Sequence, residues 1–291
     1  MRIANEQLTV EIAPLGAELQ SIRSVDGAEW LWNGDPSYWT GRAPLLFPVV
    51  GKSPDGTVGI EGKHYPMQPH GFARRSVFSI TETSATYGCF TLAASAETRV
   101  SFPFAFLLTV IYRLDGPTLR TMVEITNADK RDMPFGFGFH PAFVWPLPGS
   151  AGQTHGLRLS GASEPKFQSL DDQGLILPET HNSPFSGGEL QLDHALFEND
   201  ALLFPDGVGD GIVYRAGGGA SVVLTWSNLP NFAVWTKPGA PYLCLEPWHG
   251  MSALAGAGDA MLDRPSTLVL PAGEIARFEL SATFSAASSN L

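Results

Sequence analysis

Hydrophobic and polar residues alternate in short runs along most of this chain, with the period of two that turns one side of an extended strand toward a core. Leu8-Thr9-Val10-Glu11-Ile12, Leu107-Leu108-Thr109-Val110-Ile111-Tyr112 and Thr121-Met122-Val123-Glu124-Ile125 follow it, and Ser76-Val77-Phe78-Ser79-Ile80 predicts another strand. The pattern continues at residues 211–215, 221–226, 232–235 and 278–284. Turn signals such as Ser53-Pro54-Asp55-Gly56, Asp115-Gly116-Pro117 and Ala216-Gly217-Gly218-Gly219 separate the runs. No long stretch has helical period. Many strands joined by short turns pair antiparallel and must close on themselves to bury their apolar faces. The expected fold is therefore all-β, a large antiparallel β-sandwich. Residues from about 147 to 193, rich in Gly, Ser, Pro and Asp, break the pattern and predict long loops over one end of the sandwich.

Composition narrows this further. Hydrophobic residues make up 44% of the 291 positions against 16% charged, enough for a sizeable core and too much for disorder. No linker-like shift divides the chain, so residues 1–291 read as one domain. A net charge of −11 disfavours sequence-independent attraction to nucleic acid or to an anionic membrane, both of which need a basic surface. A small neutral molecule suits this charge better. Cys89 and Cys244 stand in apolar, strand-like surroundings outside any metal-binding spacing and read as buried free thiols. The N-terminus lacks a basic segment followed by an apolar run, and no stretch is apolar enough to span a bilayer. The expected location is the cytoplasm.

Chemistry concentrates in three segments. In Leu243-Cys244-Leu245-Glu246-Pro247-Trp248-His249-Gly250 an apolar strand pattern delivers a carboxylate between a proline and an indole. His70 lies in Gln68-Pro69-His70-Gly71-Phe72-Ala73-Arg74, and His140 in Phe137-Gly138-Phe139-His140-Pro141-Ala142-Phe143. Imidazole and carboxylate move protons near neutral pH, and an apolar wall strengthens every hydrogen bond beside it. One shared pocket is the expectation. His64, His155, His181, His194 and His249 read as ordinary hydrogen-bonded turn residues, and no histidine pair has zinc-site spacing. The chain has no acyl-transfer serine elbow and no phosphate loop.

Together with Pro44-Leu45-Leu46-Phe47-Pro48-Val49-Val50-Gly51, these segments resemble the aldose 1-epimerase family, the mutarotases, and most closely its LacX-like branch. The resemblance extends to roughly Pro271. It implies a galactose mutarotase-like supersandwich holding a free sugar in an open cleft, with no cofactor, a small-molecule sugar as the only partner, and no oligomeric state specified. By the same resemblance Glu246 is the general base at the anomeric hydroxyl and His140 the general acid at the ring oxygen, facing the hemiacetal from opposite sides. His70 resembles the second histidine, which helps polarise the ring oxygen, and Arg74 a substrate-binding cation. Trp248 is either a platform for the sugar ring or a core tryptophan. Asp193 resembles an aspartate that binds sugar hydroxyls, with Asp200 as the competing choice. Lys52 stands where many mutarotases place an arginine, and lysine lacks the planar fork. Two other readings stay open. One is a hexose-6-phosphate 1-epimerase recruiting Arg42, Lys52, Arg74 or Lys237, and the other is a non-catalytic carbohydrate-binding protein on the same fold.

Overall fold

The computed structural model describes residues 1–286, so the last five positions of the expected domain lie outside the described residues. Among the described residues two large antiparallel sheets dominate. The nine-stranded sheet runs in the order Glu189–Gln191, His155–Leu159, Gly211–Ala216, Ser221–Ser227, Ile275–Ser285, Thr118–Asn127, Phe106–Asp115, Tyr87–Ala93 and Ser79–Thr83. Its long strands alternate as the sequence dictates. Phe106, Leu108, Val110, Tyr112 and Leu114 point inward along one strand, and Leu119, Thr121, Val123 and Ile125 along the next. Opposite lies the eight-stranded sheet, in the order Ile176–His181, Phe167–Leu170, Leu202–Phe204, Asn231–Trp235, Tyr242–His249, Phe137–Phe139 and Leu45–Leu46, with Ala142–Val144 also pairing Tyr242–His249.

One apolar cluster reaching from Ile3 to Phe284 fills the space between the sheets. At ~25 cal/mol per Å² of apolar surface removed from water, such a core is the main source of stability. The eight-stranded sheet differs from its partner in being covered on both sides. All residues of Tyr242–His249 except His249 are buried. Leu243 and Leu245 enter the main core, whereas Trp248 and Cys244 belong to separate apolar clusters on the other face. That second face carries the cavity described below.

Two expectations change. Residues 147–193 are not uniformly loop, because His155–Leu159, Phe167–Leu170, Ile176–His181 and Glu189–Gln191 are strands. These are short outer strands, too brief to display an alternating pattern among their turns. The strand expected at residues 76–80 begins later, at Ser79, since Val77 instead bridges Leu15 outside the sheet. Both cysteines are buried and unbridged. No helix among the described residues is long and apolar enough to cross a membrane.

Candidate active site

Strand register brings His140 to Glu246. Gly138 pairs with Trp248 and Ala142 with Cys244 along the same antiparallel strand, so His140, midway between, falls opposite Glu246. Pro141 interrupts the ladder there because it has no N–H to donate, and its carbonyl still accepts from the Leu245 amide at 3.2 Å. His140 Nε2 lies 3.2 Å from Glu246 Oε2. Both residues are buried, with exposures of 6% and 1%. Glu246 Oε2 and His140 Nδ1 have no hydrogen-bond partner, so the two groups are close without being aligned as donor and acceptor. Buried polar atoms are normally satisfied, and orphans call for an explanation.

His70 arrives from a tight turn. It has φ +62°, followed by Gly71 at φ +72°, and a Cβ on Gly71 would sit 2.1 Å from the Phe47 carbonyl oxygen. Only glycine lets the chain press so closely there. The Phe72 amide donates to that carbonyl at 2.9 Å, and the His70 amide to the Gly51 carbonyl at 2.8 Å. In return the Gly51 amide donates to His70 Nδ1 at 3.1 Å. An accepting Nδ1 in a neutral imidazole assigns the proton to Nε2, which leaves that N–H as a donor.

These groups line a cavity of about 230 Å³ together with Trp39, Trp235, Trp248, Lys52, Arg74 and Asp200. At roughly 30 Å³ per water this suits one small polar molecule and not a chain of them. Trp39 stacks on His140 with ring centroids 4.9 Å apart, and Trp235 meets the same imidazole edge-on at 6.0 Å. Trp248 packs over the backbone of Gly138, where a Cβ would come within 2.4 Å of its ring. Its Nε1 is buried and unpartnered. The exposed Lys52 lies over Gly174 at the rim. The adjacent loop is tied from below by Arg264, which donates to the carbonyls of Val50, Lys52 and Met251 and to Ser53 Oγ at 2.7–3.1 Å. Arg264 has only 5% exposure, and burial pushes its pKa down to about 10.

Electrostatics follow from burial beside a few charges. Glu246 is raised well above the ordinary carboxylate range by burial and by Asp200, with Arg74 opposing. His140 is pushed well below the ordinary imidazole value by burial, His70 and Arg74. His70 is lowered to about 3 by burial and by the positive charges of Arg74, Arg75, Arg264 and Lys52. Burial also lowers Arg74, though Glu18 and Glu246 support its charge. A proton on Glu246 with neutral His140, and a carboxylate with imidazolium, hold the same total of one proton. Burial favours the first arrangement, while attraction across 3.2 Å favours the second. At that separation the protonation of one group depends on that of the other.

Of the residues expected at the site, Lys52, His70, Arg74, His140, Glu246 and Trp248 line this one cavity. Asp193 does not. It caps the short turn of helix His194–Phe197 by accepting from the Ala195 amide at 2.9 Å, and the cavity wall is given by Asp200. Sequence offered both as turn aspartates, and only the path of the chain after that helix distinguishes them. His140 and Glu246 are cross-strand neighbours and stand side by side. Trp248 is a core indole that also lines the cavity. Arg42 and Lys237 lie elsewhere, bonded to the Gln20 and Tyr38 carbonyls. Trp39, Trp235 and Arg264 were not expected, and no local motif marks them. A larger groove of about 480 Å³ beside His155, Glu189 and Arg215 is a poorer candidate. Its ion pair closes on itself at 2.7 Å, and both nitrogens of His155 are hydrogen-bonded.

A double antiparallel sheet carrying a buried imidazole–carboxylate pair beside a tryptophan-lined cavity has the architecture of the galactose mutarotase-like class. Comparison with known proteins agrees. The family description of aldose 1-epimerase matches residues 1–260, and the chain belongs to that family. It is 33% identical over 286 residues to protein LacX of Lactococcus lactis subsp. lactis, covering 93% of this chain and 95% of LacX. Among solved structures, a galactose mutarotase related enzyme from Lactobacillus acidophilus superposes with a TM-score of 0.93 at 26% identity, covering 99% of this chain and 98% of that one. A galactose mutarotase-like protein from Lactobacillus casei does so with 0.91 at 29% identity, covering 98% and 99%.

Proposed function

We propose that this protein is an aldose 1-epimerase that interconverts the α and β anomers of a free hexose. The observation carrying this reading is the buried His140–Glu246 pair, 3.2 Å apart at the cavity floor. Anomerisation needs one proton removed from O1 and one delivered to O5. Both oxygens are bonded to the same carbon, so neighbouring groups can serve them.

Glu246, as carboxylate, takes the proton from the anomeric hydroxyl, and His140, as imidazolium, gives its proton to the ring oxygen. The C1–O5 bond breaks and C1 becomes a carbonyl. Rotation about C1–C2 presents the other carbonyl face. Ring closure then returns the O5 proton to His140 while Glu246 returns its proton to O1. No atom or electron is gained or lost over the cycle, and the starting protonation state is restored. The neutral His70 donates from Nε2 toward the ring oxygen and stabilises the electron density that O5 gains as the C1–O5 bond breaks. Asp200, Arg74 and the Trp248 N–H bind hydroxyl groups around the ring. Localisation in the cytoplasm belongs to the same proposal.

A second reading, a hexose-6-phosphate substrate, draws support from Lys52 and Arg74 both lining the cavity. The deciding experiment follows anomer equilibration by polarimetry or NMR over a panel of aldoses and their 6-phosphates. Faster equilibration of neutral hexoses that disappears in Glu246→Gln supports the first reading, and acceleration confined to phosphates supports the second. Unchanged rates with every sugar would leave a carbohydrate-binding protein and overturn both.

A further inference from the structure

The acid–base reading leaves Cys244 unused, although it shares a strand face with Glu246 two residues away. One ligand atom from each of His140, Cys244 and Glu246 lies within 4.8 Å of the other two, and all three residues are buried. Neither Glu246 Oε2 nor His140 Nδ1 has a hydrogen-bond partner. We infer that these three side chains form a site for a thiophilic divalent cation of the Zn²⁺ type, which closes over the proton-transfer pair and blocks it.

The donor set suits such an ion, because nitrogen, sulfur and carboxylate oxygen are its ordinary ligands. Tetrahedral bonds of ~2.0–2.3 Å hold ligands roughly 3.5 Å apart, so the trio must draw in by about 1 Å. Cysteine has one side-chain torsion and glutamate three through which to draw in. Charge also balances. A thiolate and a carboxylate cancel the two positive charges, so a neutral assembly is buried, which offsets the repulsion from Arg74 at the cavity wall. On binding, the thiol proton and the proton shared by His140 and Glu246 leave to solvent, and three metal–ligand bonds form. A fourth ligand would come from water, reaching the ion from the cavity that His140 and Glu246 line.

Binding by itself does not depend on the epimerase reading. Only the blocking effect rests on it. The test is titration of the full chain with Co²⁺, whose bond to thiolate gives a charge-transfer absorption in the near ultraviolet, followed by displacement with Zn²⁺. The band should appear at one equivalent, persist in Cys89→Ala and vanish in Cys244→Ala. A buried thiol is not always replaceable without unfolding, so Glu246→Gln provides a second variant. Loss of a direct ligand should weaken the ion at least about tenfold, given that loss of a mere supporting partner costs about 10–100-fold. Zn²⁺ should also slow anomerisation by the unaltered chain, measured as the ratio of rates with and without metal, and leave that ratio near one in Cys244→Ala. Absence of the band, its loss in Cys89→Ala, or unweakened binding to Glu246→Gln overturns the inference. A band with no anomerisation by the metal-free chain would instead remove the epimerase reading and leave the metal site standing.

Discussion

His140 and Glu246 are separated by more than a third of the chain, yet they occupy opposed positions on adjacent antiparallel strands with Nε2 and Oε2 3.2 Å apart. Because they act on one proton inventory, their substitutions should not add. Glu246→Gln and His140→Asn are each expected to slow anomerisation by on the order of 10²–10⁴, and the double variant no more than the worse single. Polarimetry on the three variants checks this, and multiplicative losses would show two independent groups.

His70 makes stability sensitive to acid. Its folded pKa is depressed to about 3, while the unfolded chain binds a proton near the ordinary 6.5. As pH falls through 6.5 the unfolded state gains a proton that the folded state refuses, so stability drops between 6.5 and about 3 and is unaffected above. His70→Asn keeps an oxygen for the Gly51 amide and tolerates the positive φ. Its Tm should fall less than that of the unaltered chain on going from neutral to mildly acidic buffer. Equal losses would assign the acid sensitivity elsewhere.

The two aspartates should separate cleanly. Asp200→Asn is expected to raise KM for the sugar, since it lines the cavity, and to lower the elevated pKa of Glu246 by removing a neighbouring negative charge. Asp193→Ala should leave the kinetics unchanged and cost about 1 kcal/mol of stability through its lost cap. Steady-state rates and thermal melts on both variants decide it, and a kinetic defect in Asp193→Ala would restore the choice made from sequence.

Trp248 is the cleanest test of the orphaned donors. Trp248→Phe keeps an aromatic ring over Gly138 and deletes the unpartnered Nε1–H. Loss of one neutral hydrogen bond to substrate should raise KM by up to about tenfold, while Tm falls only by what the smaller ring takes out of the apolar cluster. An unaltered KM would mean that the N–H does not meet the sugar.

Much of this protein was legible before any coordinates. Alternation in residues such as Phe106–Asp115 and Ile275–Ser285 specifies strands with one buried side, because a period of two admits no other regular arrangement. The strands between residues 147 and 193 were not legible, because three to six residues among turns are too few to show a period. His70, His140 and Glu246 were recognisable as protonic residues in aromatic surroundings, and the family resemblance assigned their roles. Their separation was not readable from the chain. Register is a relation between strands, set here by Gly138 against Trp248 and Ala142 against Cys244, and no single segment contains it. The same holds for Asp200 over Asp193, for Trp39 laid on His140, and for Cys244 beside two proton-carrying groups. Local sequence determined which chemical groups and strand faces exist. Packing of distant segments decided which of those groups share one desolvated space, and desolvation is what shifts their protons.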